Sequence, residues 1–129
     1  MRWVYAILTV ATVALGLGSR ASFLPEWVHL YVGDVLWAVM FYGVFRVVLW
    51  QSALWWALVL ALLVTWGIEL SQCLTWPWLV AIRAHSVGGL LLGHGFLWSD
   101  VIACGVGAVL AWCLDLMALK MWRARRPPG

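Results

Sequence analysis

Charge is what this chain has least of. Eight Lys and Arg and five Asp and Glu make up 10% of its 129 residues, against about 25% in a soluble domain. That scarcity excludes a water-facing surface around a core of ordinary size and points to the bilayer as solvent. Cysteine is also scarce. Cys73, Cys104 and Cys113 have neither metal-ligand nor redox spacing, so they read as small apolar packing residues. A disulfide is open only to Cys73 and Cys104, which both fall toward one end of the apolar stretches. Basic residues cluster only at the C-terminus, as Lys120, Arg123, Arg125 and Arg126. A short basic tail without an aromatic platform does not make a nucleic-acid surface. It is a positive-inside signal beside a membrane helix.

Apolar residues fill the rest: 66% of the chain is hydrophobic and twelve residues are Trp, a residue that gathers at membrane–water interfaces. Four apolar stretches stand out, at about 3–17, 33–49, 52–74 and 98–119, and a basic tail follows at 120–129. We expect an all-α, polytopic integral membrane protein, a single domain of four transmembrane helices. The first stretch has the charged start and apolar middle of a signal peptide, but Gly18-Ser19-Arg20-Ala21 fits a cleavage site poorly, so we read it as a retained helix. With the N-terminus in the cytoplasm, Arg2, Arg46, Lys120, Arg123, Arg125 and Arg126 fall inside and Arg20 and Arg83 outside. This bias places both termini in the cytoplasm. The third loop, Thr75 to Leu97, is rich in Trp, Leu and Gly, and we expect an interfacial or re-entrant segment. Its glycines at 88, 89, 93 and 95 suit tight turns and close approach.

The few polar residues are grouped by depth. Glu69 lies 17 residues beyond Ser52, about 25 Å up a core about 30 Å thick. Asp34 and Asp100 open the second and fourth stretches from outside, so the three acids share one level with Arg20 and Arg83. Glu69 and Gln72, three apart, share a helix face. The two aspartates are also placed to cap helix N-termini, and Arg83 to pair with Glu69, which is a purely structural reading of the same residues. As a ligand site, Arg20, Asp34, Glu69, Gln72, Arg83 and Asp100 form an outer-face polar cluster. In it the arginines clasp the phosphate of a phospholipid or lipid-linked envelope component and the acids orient them. A divalent cation held by the carboxylates with His85 or His94 is a second chemistry. On the inner side, Asp115 and Arg46 are the only charges within the stretches, and Asp115 is expected to pair with a nearby base.

No cofactor motif and no nucleophile–base spacing appears. An enzyme using Glu69 or Asp100 as acid or base on a lipid-linked substrate is therefore one alternative to a binding module. The other is an accessory subunit of a larger membrane complex. For the latter, Ala103, Gly107 and Ala111 repeat every fourth residue along the fourth stretch and allow close approach of a partner helix.

Gly33-Asp34-Val35-Leu36-Trp37-Ala38-Val39-Met40, Glu69-Leu70-Ser71-Gln72, Trp78, Ile82-Arg83 and Leu92-Gly93-His94-Gly95-Phe96-Leu97-Trp98-Ser99-Asp100 resemble, in order and spacing, a small bacterial membrane family filed as domain of unknown function 2809. The resemblance runs from about Leu15 to Leu114. The family pattern carries an aromatic residue near position 104, where this chain has Cys104. It implies a four-helix membrane protein. The ribosomal-maturation label sometimes attached to the family does not suit a chain with only a basic tail to offer RNA. A fainter similarity to VanZ-like membrane proteins runs through Asp34, Glu69, Gln72, Arg83, Asp100 and Gly107, and implies an envelope-facing ligand.

Overall fold

The computed structural model describes residues 2–92 and 96–129, which are all-α, with no strand among them. The helices are α1 (Arg2–Gly18), α2 (Gly33–Val48), α3 (Leu54–Ser71), α4 (Pro77–Ala84), α5 (Ser86–Leu92) and α6 (Trp98–Ala124); a single π-helical turn, Val28–Val32, runs directly into α2. Glycines and turns mark the ends. α1 stops where Gly16, Gly18 and Ser19 meet, with the Ser19 hydroxyl donating to the Gly16 carbonyl at 2.7 Å. α4 opens on Pro77 at a position where a missing N–H costs nothing.

Stripes of small residues on three helices build the core. α3 buries Ala57, Ala61, Thr65 and Glu69, four apart and so on one face. α2 buries Ala38, Tyr42 and Arg46 at the same spacing. α6 buries Ala103, Cys104, Gly107, Ala108 and Ala111. With these faces together, α2 is the hub, packed against α1, α3 and α6, and α3 also packs on α6. The approach of α2 and α6 is closest at Gly107, where a Cβ would overlap the Val35 backbone carbonyl. The Ala103–Gly107–Ala111 stripe, read from sequence as a seam for a partner, is therefore occupied inside the chain by α2. Trp66 pins α3 to α6 by donating to the Val101 carbonyl at 3.1 Å.

Two segments differ from expectation. α6 continues past Leu119 to Ala124, because Lys120, Met121, Trp122 and Arg123 favour or tolerate helix and no breaker comes before Pro127. Lys120 and Arg123 thus belong to the helix rather than to a tail. The third loop is not irregular in its described part: it folds into α4 and α5, packed on each other, with α5 touching α3. Gly88 lies within α5, and a Cβ there would overlap the Ile82 carbonyl of α4, so this glycine serves close approach. Gly93, His94 and Gly95 lie outside the described residues.

The outside of the bundle is apolar. Trp3 is 79% exposed and Ile102 67%, and Ile7, Val10, Leu63 and Leu114 are also more than half exposed. α3 and α6 are each long and apolar enough to cross a membrane, whereas α1 is apolar but shorter, at 17 residues.

Candidate functional site

The inward stripes determine where the acids go. Asp34 stands one turn before Ala38 on α2, Asp100 one turn before Cys104 on α6, and Glu69 ends the buried stripe of α3. Three helices therefore deliver three carboxyl groups to one end of the core. Asp34, Asp100 and Glu69 lie within electrostatic reach of one another. Cys104 closes the group from below, its Sγ 3.8 Å from the Asp34 carbonyl oxygen. Glu69 is only 5% exposed, and its Oε2 has no hydrogen-bond partner among the described residues. A buried carboxyl oxygen without a donor is costly, so this geometry favours a donor or cation coming from outside the chain.

The other sequence-predicted residues divide. Gln72 sits one turn beyond Glu69 and donates through Nε2 to the Leu92 carbonyl at 2.9 Å, which ties the end of α3 to the end of α5. Its Oε1 is buried without a partner among the described residues. Arg20 is exposed and lies within electrostatic reach of Asp34. Arg83 is 8% exposed and serves the C-terminus of α3: Nη1 donates to the Leu74 carbonyl at 3.0 Å and Nη2 to the Ser71 carbonyl. The last carbonyls of a helix lack intrahelical donors and carry partial negative charge, which a guanidinium satisfies. The described hydrogen bonds of Arg83 thus go to the Leu74 and Ser71 carbonyls and, at 3.4 Å, to the Ser71 hydroxyl.

Arg20 has a second surface. With Gly33 it stands at one end of an apolar groove of about 250 Å³ between α1 and α2, floored by Val13, Leu17, Leu36 and Met40. For the divalent-cation alternative, no three His, Cys, Asp or Glu side chains among the described residues converge to hold a metal. His85 is exposed, and His94 is outside the described residues. All three cysteines are free, with Cys73 exposed and Cys104 buried.

At the other end of the core Asp115 meets the expectation that it pairs with a nearby base, which is Arg46, and two tyrosines that the sequence reading did not include join the pair. Asp115 receives the Tyr5 hydroxyl on Oδ1 at 2.7 Å, and the Tyr42 hydroxyl at 2.7 Å and Arg46 Nε at 2.9 Å on Oδ2. Arg46 also donates through Nη2 to the Tyr5 hydroxyl at 2.9 Å and lies over the Tyr5 ring, 4.6 Å from its centroid. Both ions are buried, at 4% and 8% exposure. This clasp joins α1, α2 and α6. The signal for it was the four-residue spacing of Asp34, Ala38, Tyr42 and Arg46, which carries one inward face from the acid cluster to the clasp. Asp100 and Asp115 are about 22 Å apart along α6.

A family profile described as Protein of unknown function (DUF2809) matches residues 23–108, two-thirds of the chain. The matched span includes Asp34, Glu69, Gln72, Arg83 and Asp100 and leaves out Tyr5, Arg20 and Asp115. No solved structure matches.

Proposed function

This chain belongs to the DUF2809 family, and we propose that it is a membrane-embedded binding protein whose acid cluster receives the amine of a phospholipid or other envelope lipid. In this reading α1, α2, α3 and α6 span a bacterial inner membrane with both termini in the cytoplasm. The apolar outer face of the bundle and the bias of Lys and Arg toward one side support it. With the π-helical turn that leads into it, α2 extends about 30 Å, the thickness of a hydrocarbon core. α1 is a few ångströms short, a mismatch the bilayer absorbs at small cost.

The observation that carries the ligand is Glu69, buried, with an orphan oxygen beside two further carboxyls. Such a site discriminates for a donor-rich cation and against an anion. Arg20 supplies the other half of a zwitterionic headgroup: it faces the acid cluster, and the groove it borders is apolar enough for an acyl chain. Phosphate on Arg20, amine on Glu69, Asp34 and Asp100, and a chain between α1 and α2 make one ligand. Arg83 and Gln72 hold α4 and α5 against the end of α3 and so shape the site.

Native mass spectrometry of the protein in mild detergent, with equal phosphatidylethanolamine and phosphatidylglycerol added, tests this reading. A retained ethanolamine lipid that is lost in Glu69→Gln and weakened in Arg20→Ala is the expected result. Equal retention of both lipids, or retention untouched by either substitution, would rule the site out. A bare protein carrying only a stoichiometric polypeptide would favour the accessory-subunit role instead.

A further inference from the structure

The opposite end of the bundle holds a cavity of about 430 Å³ between the α2–α3 connection and the last turns of α6, within the range of small-molecule sites. Its charge is one-sided. Arg46, Lys120 and Arg123 line it. Arg46 is matched by Asp115, but among the described residues neither Lys120 nor Arg123 has a carboxylate partner, and both are exposed. No acidic side chain lines the cavity.

A second feature points the same way. Ser52, Ala53 and Leu54 form another wall, which puts the start of α3 at the cavity. The N-cap position is Ala53, which makes no side-chain cap, and the first turn of α3 has no acidic residue. The leading amides of an 18-residue helix are thus left without a side-chain acceptor, at the positive end of the helix dipole. Leu116 and Leu119 complete an apolar floor.

We infer that this cavity is a phosphate-binding site, in which Lys120, Arg123 and the first amides of α3 surround a phosphate monoester or diester. Two unpaired cations and an uncapped helix start supply charge and directed donors to the same space. The cavity is larger than a bare phosphate and leaves room for the group esterified to it. The site is separate from the acid cluster at the other end and does not depend on that reading.

The test uses the full-length protein in nonionic detergent, titrated calorimetrically with dihexanoyl phosphatidylglycerol and, separately, with inorganic phosphate. The comparison is between Lys120→Gln/Arg123→Gln and Arg125→Gln/Arg126→Gln, which makes the same charge change beyond the end of α6. Saturable binding that weakens about tenfold or more in the first variant and survives in the second supports the site. A lipid that binds more tightly than phosphate identifies a headgroup, and equal affinities identify a free phosphate compound. No saturable binding of either probe, or equal losses in the two double variants, overturns the proposal. Circular dichroism checks folding, and the single variants Lys120→Gln and Arg123→Gln carry the comparison if the double variant is unfolded.

Discussion

Removal of Asp115 is the sharpest probe of what holds this bundle together. Its carboxylate is 8% exposed and accepts three hydrogen bonds from three different side chains, one of them the charged Nε of Arg46. In Asp115→Leu the apolar volume is kept, while Arg46 stays buried with an unbalanced charge and two tyrosine hydroxyls lose their acceptor. Loss of one partner of a buried ion pair costs about 3–5 kcal/mol. Arg46→Met/Asp115→Leu removes the stranded charge as well. Only the two hydroxyls then lack a partner, at about 1 kcal/mol each, so the double variant is about 2 kcal/mol less stable than wild type and more stable than Asp115→Leu alone. Unfolding in a rising mole fraction of dodecyl sulfate, followed by tryptophan fluorescence, reads these differences. The reasoning fails if Asp115→Leu loses under about 1 kcal/mol, or if the two substitutions add.

Three further outcomes are expected. Gly107→Leu drives a side chain into the Val35 backbone and lowers stability by about 3 kcal/mol or more, because backbone cannot move aside as a side chain can; a melting temperature within a degree of wild type would contradict the close approach of α2 and α6. Glu69→Leu removes a buried carboxyl with an orphan oxygen and raises the stability of the ligand-free protein by about 1–3 kcal/mol while abolishing binding of the amine lipid; a destabilised variant would assign Glu69 a structural partner instead. In intact spheroplasts a membrane-impermeant maleimide labels the exposed Cys73, beyond the end of α3, and spares Cys113, on the apolar outer face of α6. Labelling only after the cells are opened would invert the proposed topology.

The all-α class was legible because apolar runs so long in so little charge leave few alternatives. Less legible was the use of the small residues. Ala103, Gly107 and Ala111 announce a close helix contact, but nothing in their spacing says whether the helix that fills it belongs to the same chain. The structure answers with α2, whose Val35 carbonyl sits against Gly107. The end of α6 was misjudged for a different reason. Hydropathy falls at Lys120, yet helix propensity does not, and the backbone follows propensity as far as Ala124. The third loop likewise hid two helices, since α4 and α5 are too short for their periodicity to register.

The polar residues show the same limit more clearly. Depth counting put Asp34, Glu69 and Asp100 at one level, and the inward stripes of α2, α3 and α6 bring them within electrostatic reach of one another. For Arg83 level was not enough. An arginine beside a helix end has carbonyls to satisfy as well as anions, and those of Ser71 and Leu74 are nearer in the chain and fixed in place. For Asp115 a nearby base was expected and Arg46 supplies it, but sequence distance concealed the tyrosines, which reach Asp115 from separations of 110 and 73 residues. The role of this clasp follows from its make-up. Its carboxylate, hydroxyls and guanidinium bond one another across three helices, and Arg46 Nη1 donates onward to the Leu49 and Ser52 carbonyls, whereas the acid cluster keeps a buried oxygen with no donor among the described residues. The clasp therefore joins α1, α2 and α6, and in the acid cluster the core keeps a polar atom unsatisfied.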